Sequence, residues 1–96
     1  MFNWDTQKAI TNFEKHGVSF EEAATIFFDS NAFETDDLKH TEQEKRFKRL
    51  GISVSKRILL VIYTIRRLKD EKETIRIISA RQASSKEREV YARQRD

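Results

Sequence analysis

The sequence predicts an α+β fold: a mainly antiparallel sheet with two N-terminal helices and one C-terminal helix. Three observations carry that prediction. Helix-start signals stand at Asp5–Thr6 and at Ser19–Glu22. Three later runs, Lys45–Val54, Arg57–Arg66 and Thr74–Arg81, are rich in apolar and β-branched residues and joined by short connections, as in an antiparallel meander. After the last run, Ser84-Ser85-Lys86-Glu87 forms a second Ser-x-x-Glu capping box and starts another helix. The expected order is β-α-α-β-β-β-β-α, with the helices on one face of the sheet.

Taken in order, Phe2-Asn3-Trp4 is a short apolar edge strand. Asp5 or Thr6 caps a helix to about His16 with Ala9, Ile10 and Phe13 on its apolar face, and Gly17 supplies the left-handed position that ends it. The Ser19–Glu22 box opens the next helix. There Phe20, Ala23, Ala24, Phe27 and Phe28 recur at helical spacing, a stripe read as core packing. Asp29-Ser30-Asn31 breaks it. Ala32-Phe33-Glu34 is a weak strand signal, and Thr35–Thr41 is a polar connection. Glu42–Leu50 is open between helix and strand; alternation of Phe47, Leu50/Ile52 and Val54 favours a strand over Lys45–Val54, with Gly51 as a bulge. Ser55-Lys56 marks a tight turn. Arg57–Arg66 is nearly continuous in apolar residues, which implies a central strand buried on both faces. Arg67–Glu73 is a charged hairpin loop. The C-terminal helix offers only Val90, Tyr91 and Ala92 as apolar surface and is expected to dock weakly.

Length and composition bound the function. Ninety-six residues suit one domain, 1–96. With no cysteine there is no disulfide scaffold, thiolate zinc site or cysteine nucleophile, which suits a reducing, cytoplasmic setting. The start MFNWDTQK lacks the features of a signal peptide, and no apolar run approaches the ~18 residues of a membrane span. The net charge of +3 conceals a strong asymmetry. Residues 1–38 hold Lys8 and Lys15 against eight acids, 2 − 8 = −6, whereas residues 39–96 hold 17 bases against 8 acids, 17 − 8 = +9. A basic part of that kind fits a polyanionic partner.

Few constellations can carry chemistry. Two glycines exclude a phosphate-cradling glycine loop. A metal site would need His40, Glu44 and the Asp36-Asp37 pair, whose spacing is loose, so neither metal nor cofactor is expected. His40-x-x-x-Glu44-x-Arg46, followed by Lys48, fits RNA cleavage better. Glu or His can take the 2′-OH proton or protonate the leaving oxygen, and Arg or Lys can stabilise the phosphorane. Arg66 and Arg81, at the ends of two strands, are placed to converge with Arg46 and Lys48. Tyr63 and Tyr91 are candidates for stacking on bases or moving a proton, with core or edge packing as the plainer reading of Tyr63. Arg81 beside a helix N-terminus suggests an anion site; the plainer alternative is a solvated arginine.

Four segments, Phe2–Asp29, His40–Gly51, Arg57–Thr64 and Ile75–Tyr91, resemble the BrnT family of type II toxins. The most specific motifs are N-x-x-K-H-G-V-x-F at Asn12–Phe20 and R-I-I-S-A-R at Arg76–Arg81. The resemblance implies a RelE-like ribonuclease toxin fold, metal-independent endoribonuclease activity and growth arrest. It implies neutralisation by a BrnA-type antitoxin, a ribbon-helix-helix DNA-binding protein, in a two-to-two assembly that touches operator DNA only through the antitoxin. Carried over by position, the basic cluster is Arg46, Arg66 and Arg81, with Glu44 and His40 as proton-transfer candidates; Lys48, Tyr63, Arg76, Arg88 and Tyr91 are expected to bind RNA. The family often reads Tyr-Thr-Glu-Arg where this chain has Tyr63-Thr64-Ile65-Arg66, which leaves Glu44 as the better base. A different class of function, a non-catalytic nucleic-acid-binding module, would use the same basic face and yield no product.

Overall fold

The computed structural model describes residues 1–37, 44–70 and 72–95. The elements are β1 (Phe2–Asn3), α1 (Thr6–His16), α2 (Phe20–Thr25), a 3-10 turn (Ile26–Phe28), β2 (Phe33–Asp36), β3 (Arg46–Ile52), β4 (Ile58–Arg67), β5 (Glu73–Gln82) and α3 (Ser85–Arg95). They form a five-stranded sheet in the order β1-β5-β4-β3-β2. β2 to β5 make the antiparallel meander, and β1 adds to β5 in parallel through Phe2↔Ile75 and Asn3↔Arg76. β4, the most apolar run, lies in the middle.

Local chemistry accounts for the helix ends. The Asp5 carboxylate accepts from the Lys8 N–H at 3.0 Å and starts α1. Gly17 ends α1 at φ 67°, donating its N–H to the Phe13 carbonyl at 2.8 Å. Ser19 Oγ accepts from the Glu22 N–H at 3.0 Å and starts α2. The turn after β3 closes through Ser53 N–H to the Arg57 carbonyl, 2.8 Å, with Lys56 at φ 66°.

Alternation along β4 separates two cores. Leu59 and Val61 point to one face and pack with Val18, Phe20, Ala23 and Ile26 from the α1–α2 layer. Ile58 and Leu60 point to the other, where Leu50, Ala83, Val90 and Tyr91 bring α3 against the sheet. The helices therefore flank both faces, not one, because α3 is reached through a strand end whose exit leads to the opposite side.

Four local expectations are corrected. Ile10 and Phe13 of α1 are 49% and 55% exposed, and the buried position is Asn12. Its Nδ2 donates to the carbonyls of Val18 (3.0 Å) and Ala80 (2.8 Å), and its Oδ1 accepts from the Ala80 N–H (3.1 Å). A polar residue thus rotates the helix. In α2 the apolar stripe ends early: the chain tightens into the 3-10 turn, Ile26 is buried, and Phe28 is 81% exposed. Gly51 is not a bulge, since it pairs in register with Leu59; a Cβ there would lie 3.2 Å from the Cβ atoms of Ala32 and Ile26, so glycine allows close approach. The register shift falls in β5, where Ile62 pairs with Ser79 and Tyr63 with Ile77, leaving Ile78 as the extra residue. Finally, α3 is better anchored than its composition suggests. Tyr91 is buried, and its hydroxyl donates at 2.6 Å to Asp29, whose carboxylate also accepts the Ile52 N–H at 2.9 Å.

Candidate nucleic-acid site

On the α3 side of the sheet, beyond the part that α3 covers, lies an open cleft of about 380 Å³. Leu60, Ile62 and Ile78 give it an apolar lining, with Ser79 beside them. Arg46, Lys48 and Arg81 also line it, together with the carboxylate residue Asp37, which is 2% exposed. The register explains the convergence. Arg46 stands opposite Thr64, Lys48 opposite Ile62 and Arg81 opposite Leu60, all on the even-numbered face of β4. Arg49, between them in sequence, points to the other face, where its guanidinium lies 5.1 Å from the Phe27 ring centre and 3.3 Å from Glu34.

Arg81 is held by α3. Its Nη1 and Nη2 donate to the two Glu87 oxygens at 2.8 and 3.0 Å. Glu87 completes its capping box, accepting from the Ser84 N–H at 2.8 Å while its own N–H donates to Ser84 Oγ at 3.2 Å. The Arg81 guanidinium first, and the Ser84 N–H after it, hold the Glu87 carboxyl down to about 2 against the opposing effect of burial. The same hydrogen bonds raise the Arg81 pKa. The expected anion site at this helix N-terminus is therefore taken by the protein's own carboxylate, which fixes the guanidinium at the rim of the cleft.

The remaining predicted residues divide. Arg66 lies on the same face, two residues beyond Thr64, but outside the cleft lining; it pairs with Glu44 at 3.3 Å in an exposed contact. His40 lies outside the described residues. Arg76 donates to Asn3 at 3.2 Å near the β1 edge. Arg88 donates to the Ala83 carbonyl and to Ser85 at the start of α3. Tyr63 points to the α1–α2 side, 3% exposed, stacked on Phe47 and edge-on to Phe27. Tyr91 is 2% exposed. Both rings are packed inside the protein and have no free face for a base. Sequence reasoning missed Asp37 as a cleft residue, having weighed it only as a loose metal ligand. Among the described residues no three His, Asp or Glu side chains are grouped to hold a metal ion.

A small α+β protein with arginines and a lysine around an apolar-lined opening on an antiparallel sheet has the build of a nucleic-acid-processing domain. The comparisons narrow that class. Residues 4–87 match the family model described as the ribonuclease toxin BrnT of type II toxin–antitoxin systems. The chain belongs to this BrnT toxin family. Among solved structures it is similar to the Brucella abortus ribonuclease toxin BrnT, with 26% identity and a TM-score of 0.61, over 88% of this chain and 99% of that one. No curated protein matches. Among the described residues no helix is long and apolar enough to cross a membrane.

Proposed function

We propose that the cleft bounded by Arg46, Lys48 and Arg81 binds RNA, and that the protein cuts it without a metal ion through attack of the 2′-OH on the adjacent phosphate. The observation that carries this reading is the gathering of three cations from two non-adjacent strands around one open, apolar-lined cleft. Arg46 and Arg81 hold the scissile phosphate and stabilise the charge that builds on its oxygens in the phosphorane, the role a metal ion fills elsewhere. Lys48 follows the neighbouring backbone. Glu44 or His40 takes the 2′-OH proton as the 2′ oxygen bonds to phosphorus. The P–O5′ bond breaks with a proton delivered to the leaving 5′ oxygen, giving a 2′,3′-cyclic phosphate and a 5′-hydroxyl. Arg66 orients Glu44 through their 3.3 Å contact. The antitoxin is a BrnA-type ribbon-helix-helix protein that lays acidic residues over the cleft.

The test is incubation of purified, antitoxin-free protein with a defined RNA in EDTA, followed by end-group analysis. Cyclic or 3′-phosphate ends support the reading. RNA that stays intact in EDTA, and also in a separate magnesium-containing assay with translating ribosomes, overturns it; a salt-sensitive gel shift of that intact RNA favours a non-catalytic binding module instead.

A further inference from the structure

The N-terminal 38 residues carry eight acids and two bases, Lys8 and Lys15. Both bases fall on one face of α1, at i and i+7, with Thr11 between them. That face lines a groove of about 300 Å³ against β5, to which His16 also contributes and none of the eight acids does. The groove and the cleft share two lining residues, Ile78 and Ser79. These sit where the register shift inserts an extra residue into β5, past the two-residue stretch that β1 covers. The cleft and the α1 groove therefore border one another at Ile78 and Ser79, beside the edge of the sheet.

We infer that the α1 groove is a second subsite for the RNA backbone: a strand whose scissile phosphate lies in the cleft crosses the edge at Ile78–Ser79 and sets its flanking phosphates against Lys8 and Lys15. The inference rests on the RNA reading of the cleft. Lys8 and Lys15 are about 10 Å apart along the helix axis, room for more than one phosphate. Lysine, a mobile point charge, suits contacts that grip the backbone without reading bases. Thr11 adds a hydroxyl for sugar or phosphate oxygens. Lys8 and Lys15 thus place positive charge along the groove within an otherwise acidic segment, with Asp5 close to Lys8 at the start of the helix.

The experiment uses the full chain, antitoxin-free, and a 2′-O-methylated oligonucleotide of about twelve nucleotides, which binds but cannot be cut. Binding is followed by anisotropy across a salt series. The Lys8→Gln/Lys15→Gln variant should weaken binding by roughly tenfold and flatten the plot of log K against log salt by about 1.4, two single-strand phosphate contacts. A dinucleotide, too short to leave the cleft, should bind unchanged. Lys69→Gln/Lys72→Gln removes the same charge from the exposed β4–β5 hairpin and serves as the control. Equal behaviour of the two double variants overturns the inference, as does an equal loss for the dinucleotide. Lys48→Gln separates the two readings. A loss there with none at Lys8/Lys15 sinks the groove alone, and no loss at Lys48 sinks the cleft reading and the continuity built on it.

Discussion

Two helices of this protein begin with the same Ser-x-x-Glu box, and the two boxes end differently. At α2, Ser19 takes the Glu22 N–H, but the Glu22 carboxylate turns away from its own helix. It accepts from Arg57 through Nε at 2.9 Å and through Nη2, and from Ser53 Oγ at 2.7 Å, while Arg57 also reaches the Gly17 carbonyl at 3.1 Å. That pair ties the α1–α2 corner to the β3–β4 turn. At α3, Glu87 stays in its box and takes Arg81 in addition. The first pair sits at a packed corner, with Glu22 only 11% exposed; the second stands at the edge of an open cleft, with Arg81 41% exposed. A carboxylate that faces inward stiffens the fold, whereas one at a rim aims a cation at whatever enters.

The contrast breaks most visibly at Arg81. Arg81→Ala should lower RNA cleavage by at least about 100-fold, the usual loss of a transition-state donor, while the thermal transition stays nearly in place. Full activity, or a misfolded variant, would refute the assignment. Glu22→Gln should do the opposite, costing about 2 kcal/mol in denaturant unfolding by weakening charged hydrogen bonds at the corner, with cleavage by the remaining folded protein unchanged.

Acid sharpens the same difference. Glu87 titrates at about 2 in the folded protein against an ordinary 4.5, and Glu22 is also lowered, chiefly by its hydrogen bond from Arg57. Each favours folding above its unfolded pKa and loses that contribution as pH falls through the folded value. Stability should therefore decline between about pH 4.5 and 2. Because Arg81 is well exposed, solvent screening holds the Glu87 share to about 1 kcal/mol. Urea midpoints of Glu87→Gln measured over that window should fall less steeply than those of the parent. Ser19→Ala and Ser84→Ala are each expected to cost about 1 kcal/mol or less, as lost caps do.

Residues that act through their neighbours in sequence were legible before the structure. The caps at Asp5, Ser19 and Ser84, the stop at Gly17, the turn at Ser55-Lys56 and the central β4 follow from local spacing, and so does the element order. Residues whose part depends on distant partners were not. Asn12 looks like a polar surface position until Ala80 comes alongside it. Tyr91 offers a ring to a nucleic acid on paper, yet Asp29 claims its hydroxyl, while the packing expected of Tyr63 is met by Phe27 and Phe47. Within the candidate site, Arg46, Lys48 and Arg81 were named from sequence and line one cleft, whereas Arg66, named with them, lies outside that lining because its place depends on how far β4 runs past the opening. Asp37 joins them only because β2 runs beside β3.

The Asn12 side chain behaves, in effect, as one residue of a missing strand. Its amide gives and takes one hydrogen bond with Ala80, on the side of β5 that two-residue β1 leaves bare. An unsatisfied strand margin is an invitation for another chain to add itself. By occupying that margin with a side chain, the protein withholds the Ala80 backbone groups from any other strand adding there.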